Sequence, residues 1–108
     1  MPDNTFQIRF VDCTPDEANV LAEELANDLR EVDPSVDVQR RKESSTTQDF
    51  GSILVLVLQT TAATVVAGGV AAFLKRWGAK IVISKDGHVV AENIDGRTVE
   101  RVAQAFKS

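Results

Sequence analysis

Hydrophobic and polar positions divide the chain into short segments that alternate between strand and helix patterns. From Thr5 to Val11, phenylalanine and isoleucine alternate with polar residues, which predicts a strand with one buried face. From Ala18 to Val32, apolar residues recur every three or four positions between acidic ones, which predicts an amphipathic helix. Residues 36–42 alternate again and predict a second strand that ends in a basic cluster.

The start of the first helix carries a specific local signal. The Thr14 hydroxyl can accept from the Glu17 amide, the Glu17 side chain can reach back, and Pro15 takes the first helical position. Pro34 ends the helix, because the residue before a proline is kept out of the α conformation. The resulting strand, helix and strand are compatible with parallel pairing through a right-handed crossover.

The second half begins with a long stretch, Phe50–Leu74, that contains no charged residue. Within it, residues 53–58 are apolar throughout, and the pattern leaves open whether they form a strand or a helix. Thr60 or the next threonine can cap a helix, which we expect from about Thr61 to Trp77. Gly78 would end that helix.

The last part of the chain predicts a β-hairpin and a short helix. Strands over 80–84 and 88–91 flank an Asp-Gly pair that suits a type I′ turn. Asp95 or Thr98 can open the last helix. Residues 1–108 are the length of a single domain. We therefore predict one small α+β domain, in which helices pack on a mixed four-stranded sheet.

The uncharged stretch must be hidden from water by lipid, by the domain's own core or by another protein. Its length permits a membrane span over residues 50–74, and a single-pass membrane component is one alternative. However, Gln59, Thr60 and Thr61 lie near its middle and offset most of the free energy of insertion. Membrane insertion is therefore not the favoured interpretation.

Small residues four positions apart on the expected central helix would let another backbone approach closely. Packing against the domain's own sheet is the simpler interpretation of this row. Yet the apolar positions cover too much of the helix circumference for one sheet face to hide, which favours self-association or partner binding. This interface hypothesis names six residues: Thr64, Val65, Gly68, Ala72, Phe73 and Trp77.

Composition and charge narrow the class of protein. The chain is 44% hydrophobic and 26% charged, as in ordinary globular proteins. Its net charge is −4 and its only basic cluster is residues 40–42, so nucleic acid is not an expected partner. Cys13 is the single cysteine, which fits a reducing compartment. The first ten residues lack signal-peptide features, and we expect a cytoplasmic protein.

No catalytic or metal-binding constellation can be assembled from the sequence. His88 is the only histidine and lies beside a hairpin glycine, where a role in the turn is favoured over a general base. Cys13 precedes the capped helix, whose N-terminus can lower its pKa, but no histidine lies nearby. Asp12, Asp16 and Glu17 lack a calcium-loop glycine. We therefore predict no catalytic residues, no metal and no cofactor.

Four features in order resemble the effector-associated constant component family. They are a Phe/Ile strand, an acidic helix opened by Thr14–Glu17, the uncharged segment ending in Phe73–Trp77, and the Asp86-Gly87 hairpin before a short terminal helix. Members are small α+β companions encoded in bacterial conflict systems beside NTP-dependent switch proteins and effectors such as peptidases. The resemblance implies a non-enzymatic adaptor or assembly component in antiviral defence, and it assigns no functional residue.

The resemblance also implies the partners, an effector or an NTP-dependent switch protein encoded nearby, and the apolar surface of the central helix adds a homo-oligomer as an alternative. A second class of function stays open beside it. A small-molecule-binding regulatory domain of ferredoxin-like type has a similar alternation of strands and helices, and dimerisation could form a pocket between its subunits.

Overall fold

A computed structural model describes residues 4–34, 36–42, 52–58, 62–85 and 87–106. The described residues confirm the α+β class but contain five strands instead of the four predicted. In chain order the elements are β1 (Asn4–Val11), α1 (Pro15–Val32), β2 (Asp37–Lys42), β3 (Ser52–Leu58), α2 (Ala63–Trp77), β4 (Lys80–Lys85), β5 (His88–Ile94) and α3 (Glu100–Phe106).

The strands form one sheet in the order β2, β3, β1, β4, β5, and every neighbouring pair is antiparallel. The prediction of a mixed sheet is therefore wrong: β1 and β2 do not form the parallel pair with which their sequence is compatible, because β3 lies between them. The apolar β3 takes an inner position, whereas the charged β2 takes an edge, where charges discourage pairing with other chains. The first six elements thus form a split β-α-β-β-α-β arrangement, and β5 and α3 extend it.

The uncharged stretch is divided between β3 and α2. Residues 53–58 form a strand, which settles the choice that periodicity left open. Leu54, Leu56 and Leu58 are buried beneath the helices. Side chains alternate along a strand, so its other residues project to the opposite face of the sheet. Within the described ranges, none of the helices has both the length and the apolar character that a membrane crossing requires.

Helix α2 begins slightly later than predicted. Ala62 is its N-cap residue, and no side chain caps the helix there. The predicted caps, Thr60 and Thr61, lie outside the described residues. The predicted end is confirmed, since Gly78 adopts a left-handed conformation with φ of 65° and its amide donates to the Leu74 carbonyl at 2.9 Å.

All three helices pack against one face of the sheet and share a single core with it. Every second side chain of β1 points into this core, beginning with Phe6. The Phe6 ring meets the Phe106 ring of α3 edge to face, with centroids 4.9 Å apart. The Phe10 ring lies beside the Phe73 ring of α2, with centroids 6.0 Å apart. The core therefore joins the first strand to the last helix.

The predicted capping box of α1 is confirmed. The Glu17 amide donates to Thr14 Oγ1 at 3.1 Å, and the Thr14 amide donates to Glu17 Oε1 at 2.9 Å. The predicted apolar stripe of α1 is buried down to Leu29. Val32 was assigned to the same stripe but is exposed, because it is the last residue of the helix.

We expect Thr14→Ala to lower the free energy of unfolding by about 1 kcal/mol at neutral pH, the usual effect of losing an N-cap side chain. The hydrogen bonds from the Thr14 amide and hydroxyl lower the pKa of Glu17. A carboxylate with a lowered pKa stabilises the fold above its unfolded pKa and ceases to do so as the pH falls through its folded pKa. The difference in free energy of unfolding between Thr14→Ala and wild type should therefore become smaller as the pH falls.

Urea unfolding at neutral and acidic pH measures this effect. Thr64→Ala is the matched control, because Thr64 is exposed within α2 and makes no cap. A Thr14→Ala variant as stable as wild type at neutral pH would contradict the role assigned to the capping box.

Candidate functional site

The structure separates the six residues of the interface hypothesis into three groups. Phe73 is only 1% exposed and lies in the core, so it has no surface to offer a partner. Trp77 is 44% exposed and lies beside a groove at one end of the sheet. The other four residues are exposed on the outward side of α2: Thr64, Val65, Gly68 and Ala72.

This outward side of α2 has no charged residue before Lys75, near the end of the helix. Val65 is 46% exposed there. A Cβ atom added to Gly68 would meet no other atom within 4 Å, so the helix backbone is uncovered at that position. The interpretation that this row packs on the domain's own sheet is therefore wrong. The surface has the form of a helix face that a second helix can approach closely.

We expect Gly68→Ala to raise the free energy of unfolding by roughly 0.5–1 kcal/mol, because glycine within an exposed helix is less favourable than alanine. Gly69→Ala is the matched control. Its Cβ would lie 3.1 Å from Leu29 Cδ2 of α1, a close contact that opposes the same gain. Urea denaturation of both variants tests this, and an equal gain at the two positions would contradict the described contact between α1 and α2.

A groove of about 640 Å³ lies where β1 and β5 end and β4 begins. Trp77 and Val20 line it, and both are large hydrophobic residues with substantial exposure. The indole of Trp77 stacks on the Phe73 ring, with centroids 5.6 Å apart and an interplanar angle of 25°. The groove therefore has an apolar wall whose orientation is fixed by the core.

Charged side chains of both signs border this groove. Lys80 Nζ lies 3.0 Å from Asp12 Oδ2. Arg97 Nη2 lies 3.5 Å from Asp95 Oδ2, and the backbone amide of Arg97 donates to Asp95 Oδ1 at 2.9 Å. This amide is the main cause of the lowered pKa of Asp95. The rim can thus offer ionised carboxylates and cations to a small polar ligand.

The turn that carries these charges lies tight against the end of α2. Helix α3 begins at Glu100, so neither Asp95 nor Thr98 directly precedes it as predicted. Instead the two residues bond each other in the preceding turn, where the Asp95 amide donates to Thr98 Oγ1 at 3.1 Å. A Cβ on Gly96 would lie 3.2 Å from the Lys75 Cα atom, so only glycine fits without a shift of backbone. The turn that places Asp95 and Arg97 at the groove is therefore held close to the backbone of α2.

Cys13 lies in the groove, but the prediction of a lowered pKa is wrong. Burial raises the pKa of this thiol, and the carboxylates of Glu17 and Asp12 raise it further. His88 lies on β5 next to the hairpin, at the opposite end of β4 from the groove. Across the described ranges, no group of three or more histidine, cysteine, aspartate and glutamate residues could hold a metal ion.

Sequence reasoning missed Val20, Lys80 and Arg97 as residues of a shared groove. Val20 did carry a signal, since it is an apolar residue outside the buried stripe of α1. The two cations carried none, because their proximity depends on which strand ends lie side by side.

Comparisons with models of protein families, with curated proteins and with solved structures gave no match to this chain. The surfaces described above are therefore the basis on which a function can be proposed.

Proposed function

We propose that the chain is a non-enzymatic adaptor or assembly component of a bacterial NTP-dependent conflict system, acting in the cytoplasm in antiviral defence. The uncharged outward face of α2 carries this proposal, because it leaves apolar side chains and bare backbone in solvent. The resemblance to the effector-associated constant component family supplies the system and the partner class, which is an effector or switch protein encoded nearby.

The physical argument concerns how closely a partner helix can approach. Helices pack with their axes about 8–10 Å apart, and small residues at the contact favour the short end of that range. Gly68 and Ala72 supply such positions, and Val65 beside them supplies an apolar contact. Exposed Lys75 follows in the last turn, where it can contact an acidic group at the rim of the interface, whereas Arg76 pairs with Asp28 of α1.

Copurification with the products of neighbouring genes, followed by mass determination of the complex, tests the proposal. Gly68→Leu should abolish capture, because the added side chain fills the space that the partner helix needs, at an exposed position where a Cβ atom meets no other atom within 4 Å. Arg97→Ala, a change in the exposed rim of the groove, should leave capture intact. Capture that survives Gly68→Leu would contradict the assigned surface, and failure to capture any partner would contradict the adaptor role.

A small-molecule-binding regulatory domain is the second candidate, and the groove beside Trp77 favours it. The β-α-β-β-α-β order is compatible with the ferredoxin-like type of domain. Trp77 is the only tryptophan, so its fluorescence reports on the groove. A panel of free amino acids and nucleotides should then contain a ligand that raises the melting temperature and changes Trp77 emission. A panel without any such ligand would count against this function.

A further inference from the structure

The face of the sheet opposite the helices runs across all five strands. Residues paired on neighbouring antiparallel strands project to the same side of a sheet. Gln39 pairs with Val55, Val55 with Gln7, Gln7 with Ser84, and Ser84 with Val89. These five residues form one row across this face, here called the open face. None of the three described helices packs on it.

Strand β3 is apolar on the open face as well as in the core. Val55 belongs to the row just described, and Ile53 and Val57 project to the same face on either side of it. Ile53 and Val57 are partly exposed, whereas Val55 between them is only 7% exposed, and none of the three belongs to the core beneath the helices. The solvated face of an antiparallel sheet normally carries polar residues at such positions. A strand that is apolar on both sides has the pattern of one covered on both sides.

The edge strand beside β3 carries opposite charges at its two ends on this face. Asp37 pairs with Val57, and Arg41 pairs with Ile53. Both charged side chains are exposed, and the Arg41 guanidinium also donates to Gln39 Oε1 at 3.2 Å. A copy of this strand turned end for end would therefore place each charge over its opposite.

We propose that the open face binds a second copy of this chain, with the two sheets stacked about a two-fold axis that runs across the strands. This axis places Val55 of one copy over Val55 of the other, and Ile53 over Val57. It also places Arg41 over Asp37 of the other copy, twice per dimer. The interface is isologous, as closed dimers require, and the sheets lie about 10 Å apart.

The area of the open face indicates how stable the dimer is. Five strands about 4.8 Å apart and roughly six residues long give a face of roughly 24 by 20 Å. Two such faces cover about 1,000 Å² in projection, which is close to the lower limit for a specific interface. The dimer is therefore in a concentration-dependent equilibrium with the monomer.

Charge exchange at Asp37 and Arg41 tests the proposal by sedimentation equilibrium of the full chain at low salt. Arg41→Asp alone and Asp37→Arg alone should each weaken dimerisation at least tenfold, because each places two like-charged pairs across the interface. The double variant should dimerise like wild type. An equimolar mixture of the two single variants should form heterodimers, since both contacts are then attractive.

Arg40→Asp is the matched control, because Arg40 lies on the same strand but pairs with Glu23 of α1 on the helix side. It should leave dimerisation unchanged. Wild type that stays monomeric at high concentration would overturn the proposal, and so would single variants that dimerise as wild type does. Failure of the double variant and of the mixture to recover dimers would overturn the assigned axis and face.

This dimer goes beyond the proposed function, because it uses the open face and not the outward face of α2. Dimerisation of the charge-exchange variants is measured on the purified chain with no other protein, whereas the adaptor role is measured by capture of a partner protein through α2. A negative result in the dimerisation experiment would therefore leave the adaptor proposal intact, and a negative result in the capture experiment would leave the dimer intact.

Discussion

Phe73→Ala is expected to lower the free energy of unfolding by about 3–5 kcal/mol, the largest effect of any single change considered for α2. The Phe73 ring is buried between Phe10 of β1 and the indole of Trp77. Its removal leaves a cavity where α2 meets the sheet and withdraws the surface on which Trp77 stacks. This half of the uncharged stretch therefore depends on the domain's own core.

Urea unfolding followed by circular dichroism gives the change in stability, and native fluorescence gives the change around Trp77. The emission of the variant should shift to longer wavelength, because the indole loses its stacking partner. Val65→Ala is the control, since Val65 is exposed on the same helix, and its effect should stay below about 0.5 kcal/mol. Losses of similar size in the two variants would contradict the orientation assigned to α2.

Leu56→Ala is expected to lower the free energy of unfolding by about 2–5 kcal/mol. It tests β3, the other half of the uncharged stretch. Leu56 is fully buried on the inner strand β3 and pairs with Phe6 of β1 and Val38 of β2 on the core side. Truncation removes methyl groups from the centre of the core, and the surrounding strands cannot close over the space without breaking their pairing.

Val57→Ala provides the control one residue away, because Val57 projects to the open face. Measured by urea unfolding at low protein concentration, its cost should be well below that of Leu56→Ala. A one-residue shift in register would exchange the two faces of β3. A greater loss for Val57→Ala than for Leu56→Ala would therefore contradict the register.

Features fixed by a few neighbouring residues could be predicted from the sequence. The capping box at Thr14 and Glu17 and the left-handed end of α2 at Gly78 are confirmed, because each depends on contacts within one turn. The hairpin is confirmed too, since Lys85 pairs with His88 and Gly87 adopts a φ of 85°. Its turn type stays a prediction, because Asp86 lies outside the described residues.

Features fixed by distant residues could not be predicted. The position of β3 between β1 and β2 depends on which strands pair as neighbours in the sheet. The periodicity of a single strand does not show which neighbours it has. The pKa of Cys13 illustrates the same limit. The helix N-terminus was visible in the sequence, whereas the burial of the thiol was not.

The candidate surfaces lie between these two cases. The row of small residues on α2 was visible, but α2 is apolar around most of its circumference, so periodicity could not show which side faces the sheet. Phe73 and Gly68 therefore entered one hypothesis, although the first is in the core and the second faces solvent. The groove and the open face follow from the strand order and could not be read before it was known.

The central claim is that the domain's own core holds one side of the uncharged stretch without help from lipid or a partner. Amide hydrogen exchange by NMR on the isolated chain, at low concentration and without detergent, tests it most directly. The amides of β3 and of α2 from Ala67 to Trp77 should exchange as slowly as those of β1, through global unfolding. Fast exchange in β3 and α2 beside a protected β1, with protection gained only when a partner or lipid is added, would contradict the account.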